Sequence, residues 1–432
     1  MAVKKATPNY FSVFIFIISF LFACQNLQAQ HNLDYYIGKA LANAASINQL
    51  RNQIPVNKLQ NELDQAQNSA FQISLTGNYL FVPYFNNSGR IVTANPDQNA
   101  VGYDIGLTNG GLYSAQVNVA KNIFNGNLLD VLKNKNELSN KSVSNSIQVE
   151  EHNFRKIVTD QYLSCIQNLL LYNLTKENAA NLNEQLRITG ELVEKGFVKA
   201  QDFLLLKIES KNQQTQLEEI WRNYKSGLTQ LNSICGIQDT SAVILENVNL
   251  NISTQTEQSN FTAKFSIDSL VLANQQQLFE TKYLPQVNVF FNTGLNAVEL
   301  NNIQRKFGLS AGLNFSLPVF DGNQRDITRQ QNDIFVKSIR QNKNYFEKSL
   351  FLQRKNGLEK IRSLKKTLDN LQIQIKDYKQ VISLAQKQIE QGAFSMIEYL
   401  TLLKNFIDLQ KNNISTEVNY QIEINNYNYW NW

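Results

Sequence analysis

Phe315-Ser316-Leu317-Pro318-Val319-Phe320-Asp321-Gly322-Asn323 decides the fold, because an alternating strand ends there, a turn follows, and a long heptad-patterned helix begins. Upstream, Val119-Ala120-Lys121-Asn122-Ile123-Phe124-Asn125-Gly126-Asn127 repeats it, with Gly126 beneath Gly322 and Phe124 beneath Phe320, an offset of 196 residues. A second pair of segments keeps the same offset. Glu194-Lys195-Gly196-Phe197, followed by Asp202-Phe203-Leu204, sits beneath Glu390-Gln391-Gly392-Ala393, followed by Glu398-Tyr399-Leu400. Two motifs sharing one long offset predict a duplicated unit. The expected organisation is a leader over residues 1–29, a first repeat over 30–245 and a second over 246–432.

Each repeat reads as a helix, two strands and a pair of long helices. Residues 31–66 are helical in pattern but carry Pro55, which predicts two short helices broken there. Alternation of apolar and polar residues predicts strands near 71–84, 106–120, 286–296 and 307–318. Between about 265 and 282 the pattern is helical again. Ile361, Leu364, Leu368, Leu371, Ile375, Tyr378, Ile382, Ala385 and Ile389 then step by three and four as one heptad seam. Val158, Tyr162, Cys165 and Leu169 do the same in the first repeat, answered beyond Gly196 by Trp221, Tyr224, Leu228 and Leu231. The hairpin glycine and the tip glycine of each repeat lie 70 residues apart. A helix filling that interval extends about 100 Å, a length suited to spanning a distance rather than enclosing an active site.

The chain opens with Lys4 and Lys5, an apolar run from Phe11 to Ala23, and Leu27-Gln28-Ala29, the pattern of a secretory signal peptide. Two processing sites stay open: cleavage after Ala29, or cleavage before Cys24, since Leu21-Phe22-Ala23-Cys24 resembles a lipobox that would be acylated at Cys24. Beyond residue 29 no apolar run of about 18 residues occurs, so no helical membrane span is expected. The formal charge of +5 is mild and dispersed and argues against nucleic acid as a partner. Four strands cannot close a membrane barrel, so insertion would require several chains.

Residues for chemistry are scarce. His31 and His152 are the only histidines, neither near a second ligand at metal spacing, and there is no nucleophile motif or phosphate-cradling glycine loop. His152, beside Glu150 and Glu151, reads as part of a solvated helix face. Cys165 and Cys235 read as small apolar core residues about eight residues out of level on antiparallel helices, too far apart for a disulfide. Neither catalysis nor a cofactor or metal is expected. Tyr427, Tyr429, Trp430 and Trp432 fit either a membrane-interface belt or a terminal segment packed on helices.

Leu317-Pro318-Val319-Phe320-Asp321-Gly322, Tyr283-Leu284-Pro285-Gln286-Val287 and the paired tips Gly196 to Leu204 and Gly392 to Leu400 resemble the TolC family of outer-membrane efflux proteins over nearly all of the mature chain. The resemblance implies a mainly helical protein with a β-barrel portion. Three copies would complete a twelve-stranded outer-membrane barrel, and their coiled-coil helices a periplasmic α-barrel. It implies a passive exit duct for a tripartite efflux or type I secretion system. The partners would be a periplasmic adaptor, an inner-membrane transporter of the RND or ABC class, and outer-membrane lipid. It makes Glu398 the acidic position of the periplasmic constriction and Asp202 its counterpart in the first repeat. Gly196, Phe197, Gly392, Ala393 and Phe394 become the tips that meet the adaptor. Departures stand beside it: Thr401 replaces the second acid of the family's pair, and Phe394 occupies a position where an arginine is common. Without the resemblance, the heptads alone would also fit a secreted coiled-coil adhesin or scaffold, which the duplicated amphipathic strands disfavour.

Overall fold

The computed structural model describes residues 32–80, 84–87, 90–93, 101, 113–256, 259–297, 302–390 and 394–432. The leader with Cys24 and Ala29, and the tip residues Gly392 and Ala393, lie outside the described residues. In chain order the elements are α1 (Leu33–Asn43), α2 (Ala45–Ser69), β1 (Gln72–Tyr79), β2 (Tyr84–Asn87), β3 (Arg90–Thr93), β4 (Tyr113–Phe124), α3 (Leu128–Glu194) and α4 (Ala200–Ile234). Then come α5 (Ala263–Glu280), β5 (Gln286–Ala297), β6 (Phe307–Ser316), α6 (Gln324–Glu390) and α7 (Met396–Trp430). Helices α3 and α6 are each 67 residues, and α4 and α7 each 35. All four therefore begin and end at the 196-residue offset read from the sequence.

Contacts divide the chain into two units, one of residues up to 49, 147–261 and 346–432, the other of residues 50–146 and 262–345. In the second unit, β1, β4, β5 and β6 form one antiparallel sheet in that order. The short pair β2 and β3 forms a separate ribbon. Gly126 and Gly322 take left-handed backbone at φ +65° and +67°, as the turn from strand to long helix requires in both hairpins.

The helical unit is built from the predicted seams. Val158, Tyr162 and Cys165 of α3 and Tyr224, Leu228 and Leu231 of α4 are buried in one cluster with Tyr36, Ile37 and Ala40 of α1. Antiparallel level is fixed by Ser210 Oγ donating to Asn183 Oδ1 at 2.6 Å and Gln161 Nε2 donating to the Gly227 carbonyl at 3.1 Å. A Cβ on Gly227 would lie 3.2 Å from Cys165 Sγ, so Cys165 is level with residue 227 and Cys235 is eight residues beyond it. Both thiols are free and buried, and burial pushes each up to about 12, so neither is a thiolate nucleophile near neutral pH. On the other pair, Ile361 of α6 packs with Ile424 and Tyr427 of α7. Nearer the tip, Ile382 and Ala385 pack with Met396, Tyr399 and Phe406.

Between α4 and α5 the chain has no regular structure over residues 235–256, yet its backbone is bonded along α7. Leu250 N–H donates to Gln421 Oε1 at 2.7 Å. Asn428 donates to the Asn251 carbonyl at 2.8 Å and accepts from Ser253 N–H at 2.8 Å. Asn431 donates to the Thr254 carbonyl at 2.7 Å and accepts from Thr256 N–H at 3.2 Å. The Asn428 and Asn431 amides thus each present a donor and an acceptor to residues two apart, as a neighbouring strand would.

Two expectations are corrected. The break between the first helices falls at Ala44, whose N–H still bonds Ala40 O at 2.8 Å, and not at Pro55, which lies inside α2. Pro55 is solvent-exposed within α2, so its ring is not buried against a neighbouring helix. His152 is not on a solvated face. Its ring stacks on Tyr429 at 4.8 Å and on Trp432 at 4.3 Å, meets the edge of Phe261, and its Nε2 bonds the Tyr429 carbonyl at 2.9 Å. Burial holds the imidazole below its ordinary pKa. The C-terminal aromatics accordingly pack within the helical unit, and Tyr427 is buried there.

Candidate functional site

Register gives the sheet two chemically distinct faces. Leu75 pairs with Val117, Val117 with Thr293 and Thr293 with Leu309, so these side chains share one face with Ile73 and Leu313. The opposite face carries Ser74, Thr76, Gln116, Asn118, Asn292 and Ser310, and no charged residue of the four strands points there. Asn118 Nδ2 donates to Thr76 Oγ1 at 2.7 Å across that polar face. Its one large apolar side chain, Phe290, lies over Gly312, where a Cβ would come within 2.6 Å of the ring. The apolar face is uncovered: Ile73, Leu75, Leu309, Leu313 and Phe315 are each 66% exposed or more. It is bounded at one end by the Tyr79 and Tyr113 rings, 5.3 Å apart, and at the other by Lys121 Nζ, 4.6 Å above the Phe71 ring. Such a large exposed apolar surface marks an interaction with lipid or protein.

The second hairpin is anchored at its base. Glu280, at the end of α5, accepts from Arg329 Nε at 2.7 Å and Arg325 Nε at 2.7 Å, and from Gln276 Nε2 at 2.9 Å. Asp321 accepts from the Tyr283 hydroxyl and from Arg325 N–H, tying the turn to the start of α6. The Arg329 guanidinium, then Arg325 and Gln276, hold the Glu280 carboxyl down at about 2. A depressed carboxylate contributes stability that is complete above its unfolded pKa of about 4.3 and is lost as pH falls through the folded value. Glu280→Gln should therefore cost about 1 kcal/mol at neutral pH, an ion pair of half-exposed arginines being worth no more. Its deficit in chemical unfolding should shrink between pH 4.3 and about 2; a deficit independent of pH would refute the assignment.

At the other end of α3, the tip is a Schellman turn: Phe197 N–H bonds Leu192 O at 2.9 Å, Gly196 N–H bonds Val193 O at 3.0 Å, and Gly196 has φ +76°. Phe197 is 73% exposed. Phe394 is half-buried against Met396 and Tyr399. Both line one cleft of about 460 Å³, together with Lys199, Asp202, Ile389 and Met396. Asp202 and Glu398 occupy the first turns of α4 and α7. Of these two acids only Asp202 lines the cleft, while Glu398 is exposed.

Among the described residues no cluster of three or more His, Cys, Asp or Glu is placed to hold a metal, and no helix is long and apolar enough to cross a membrane. The sequence matches no protein-family model and no curated protein. Its fold does match solved structures. The CusC transmembrane channel superposes with a TM-score of 0.71 at 11% identity, covering 93% of this chain and 92% of that one. The VceC outer membrane protein of Vibrio cholerae gives 0.67 at 11% identity, over 92% and 96%. The CmeC outer membrane channel of Campylobacter jejuni gives 0.68 at 15% identity, over 92% and 85%. All three are TolC-family channels. The chain has the TolC fold.

In the TolC fold as this chain builds it, the departures seen in the sequence have local consequences. Thr401, in place of a second acid, donates its hydroxyl to Ile397 O at 2.9 Å within α7. Phe394, in place of an arginine, packs into the tip core instead of offering a charge. Sequence reading missed the second wall of the cleft, because Ile389, Met396 and Ile397 look like ordinary heptad residues until the turn folds them beside Phe197. It also missed the Tyr79–Tyr113 pair. The signal was available in the alternation of both strands, but register across a long connection was not.

Proposed function

We propose that three copies of this chain form an outer-membrane channel, each giving four strands to a closed barrel and its long helices to a periplasmic conduit. The observation that carries the reading is the sheet: apolar on one face, polar and uncharged on the other, and open at β1 and β6. Strands of 8 to 12 residues, tilted as in membrane barrels, cover an apolar band of about 25 Å. An open edge cannot face lipid, so the edges must be paired by other copies. The duplication supports the same reading, since two matched repeats per chain make a near-symmetric wall from three chains. The signal peptide directs the chain across the inner membrane, and the conduit serves as the passive exit duct of a tripartite efflux or type I secretion system. In that role the chain catalyses nothing and relies on an adaptor and an inner-membrane RND or ABC transporter.

Fractionation with the outer membrane and heat-modifiable migration of an oligomer in detergent test the proposal. Release by a salt wash as a monomer would sink it. The tips supply a second test, because Phe197 offers an apolar side chain with no core of its own to fill. Phe197→Glu should abolish adaptor capture and leave oligomer yield unchanged. Phe394→Glu should in addition destabilise the tip, by about 2 kcal/mol, because its ring is packed. Full adaptor binding by both variants would exclude the tips as the docking surface.

A further inference from the structure

The apolar face of the sheet is hollowed near its Tyr79–Tyr113 end. Ala115, Thr293 and the backbone of Gly294 are small, and they leave a groove of about 710 Å³ between Leu75 and Val117 on one side and Leu295 and Phe307 on the other. Gln304, in the short helical turn Ile303–Arg305, closes one end. Arg305 and Lys306 follow immediately, both exposed, and neither forms an ion pair with a described residue. Along the chain the order is therefore two exposed cations, then Phe307 in the groove wall, then Leu309 on the open apolar face.

We propose that this groove holds an acyl chain of an anionic, phosphate-bearing lipid, with Arg305 and Lys306 binding the phosphate. The inference rests on the channel reading, which turns this face toward the bilayer. Three features select lipid over protein. The groove crosses all four strands, from Leu75 of β1 to Phe307 of β6, so a second copy pairing at either sheet edge leaves it open. Its lining is apolar with no buried charge to satisfy, which suits a hydrocarbon chain. These two exposed cations stand at the end where the paired tyrosines mark the interface, at the depth of a headgroup.

Native mass spectrometry of the detergent-purified full-length oligomer decides it, using dioleoyl phosphatidylglycerol, dioleoyl phosphatidylcholine and soluble glycerol phosphate as probes. Phosphatidylglycerol should be retained over phosphatidylcholine, and glycerol phosphate should not bind. Arg305→Gln and Lys306→Gln should each weaken retention of phosphatidylglycerol about fivefold, the worth of one cation at an anionic surface. Ala115→Leu should weaken retention of both lipids by filling the groove; Thr293→Leu replaces it if that variant does not assemble. Equal retention by wild type and variants would overturn the lipid site while the oligomer's conductance leaves the channel standing. Binding of glycerol phosphate as tight as that of the lipid would overturn it in favour of a plain phosphate site. Recovery of the wild type as a salt-extractable monomer would defeat the channel reading and the lipid site with it.

Discussion

Gly294→Ala should prevent the sheet from assembling, and it is the single substitution expected to cost most. Gly294 has φ +146°, a backbone region essentially reserved for glycine. A Cβ there would sit 2.2 Å from the Ala115 carbonyl oxygen and 2.8 Å from Gln116 Cα. Both obstacles are backbone of the facing strand, so relief requires breaking the β4–β5 ladder at the Gln116 pair. Conformational strain and overlap together should exceed about 3 kcal/mol. The expected result is loss of most heat-resistant oligomer in a folding assay. Gly308 is the internal control. It pairs directly with Gly294 across β5 and β6, yet a Cβ there meets nothing within 4 Å, so Gly308→Ala should assemble normally. Wild-type yield from Gly294→Ala would show that the backbone at this position is not constrained as described.

The second large effect is expected in conductance. Asp202→Ala with Glu398→Ala should remove the cation preference of the proposed channel and relieve block by a trivalent cation about tenfold or more. Each acid sits at the third position of its helix, six residues past its tip glycine, and three chains bring six carboxylates to one level if both face the lumen. Such a ring repels itself and concentrates multivalent cations. Helix starts also favour acids for a simpler reason, the partial positive charge of their N–H groups, worth about 0.3–1 kcal/mol. That account predicts a small loss of stability and no change in selectivity. The single variants separate the two positions: Asp202 lines the tip cleft within one chain, and Glu398 is exposed, so Glu398→Ala should carry the larger share. Unchanged reversal potential and block in the double variant would return both acids to solvated helix ends.

Much of this architecture is legible in the sequence because local period and global fold agree. The 196-residue offset places the ends of α3, α4, α6 and α7, and two-residue alternation places the core of every strand in the large sheet. Heptads identify Tyr162, Tyr224, Ile361 and Ile382 as buried. Three features were not legible, each for a physical reason. Pro55 is read as a breaker, but exposure and neighbouring helical residues carry α2 through it. His152 has acidic neighbours in sequence, yet its surroundings are set by Tyr429 and Trp432, more than 270 residues away. The groove beside Ala115 depends on which small residues of β4 and β5 fall opposite each other, and that register is fixed only by pairing.

The segment clipped along α7 bears on how such a chain can change over time. Gln421, Asn428 and Asn431 grip mainly peptide groups, so positions 251, 252, 254 and 255 are free to exchange one side chain for another, whereas Ser253 and Thr256 also bond through their hydroxyls and Leu250 packs on the core between α6 and α7. Spacing is another matter: inserting or deleting one residue would set donors against donors at two amides simultaneously. Drift in letters with rigidity in count is the expected evolutionary signature of this crossing. It is one way a shape can persist while the letters that spell it turn over.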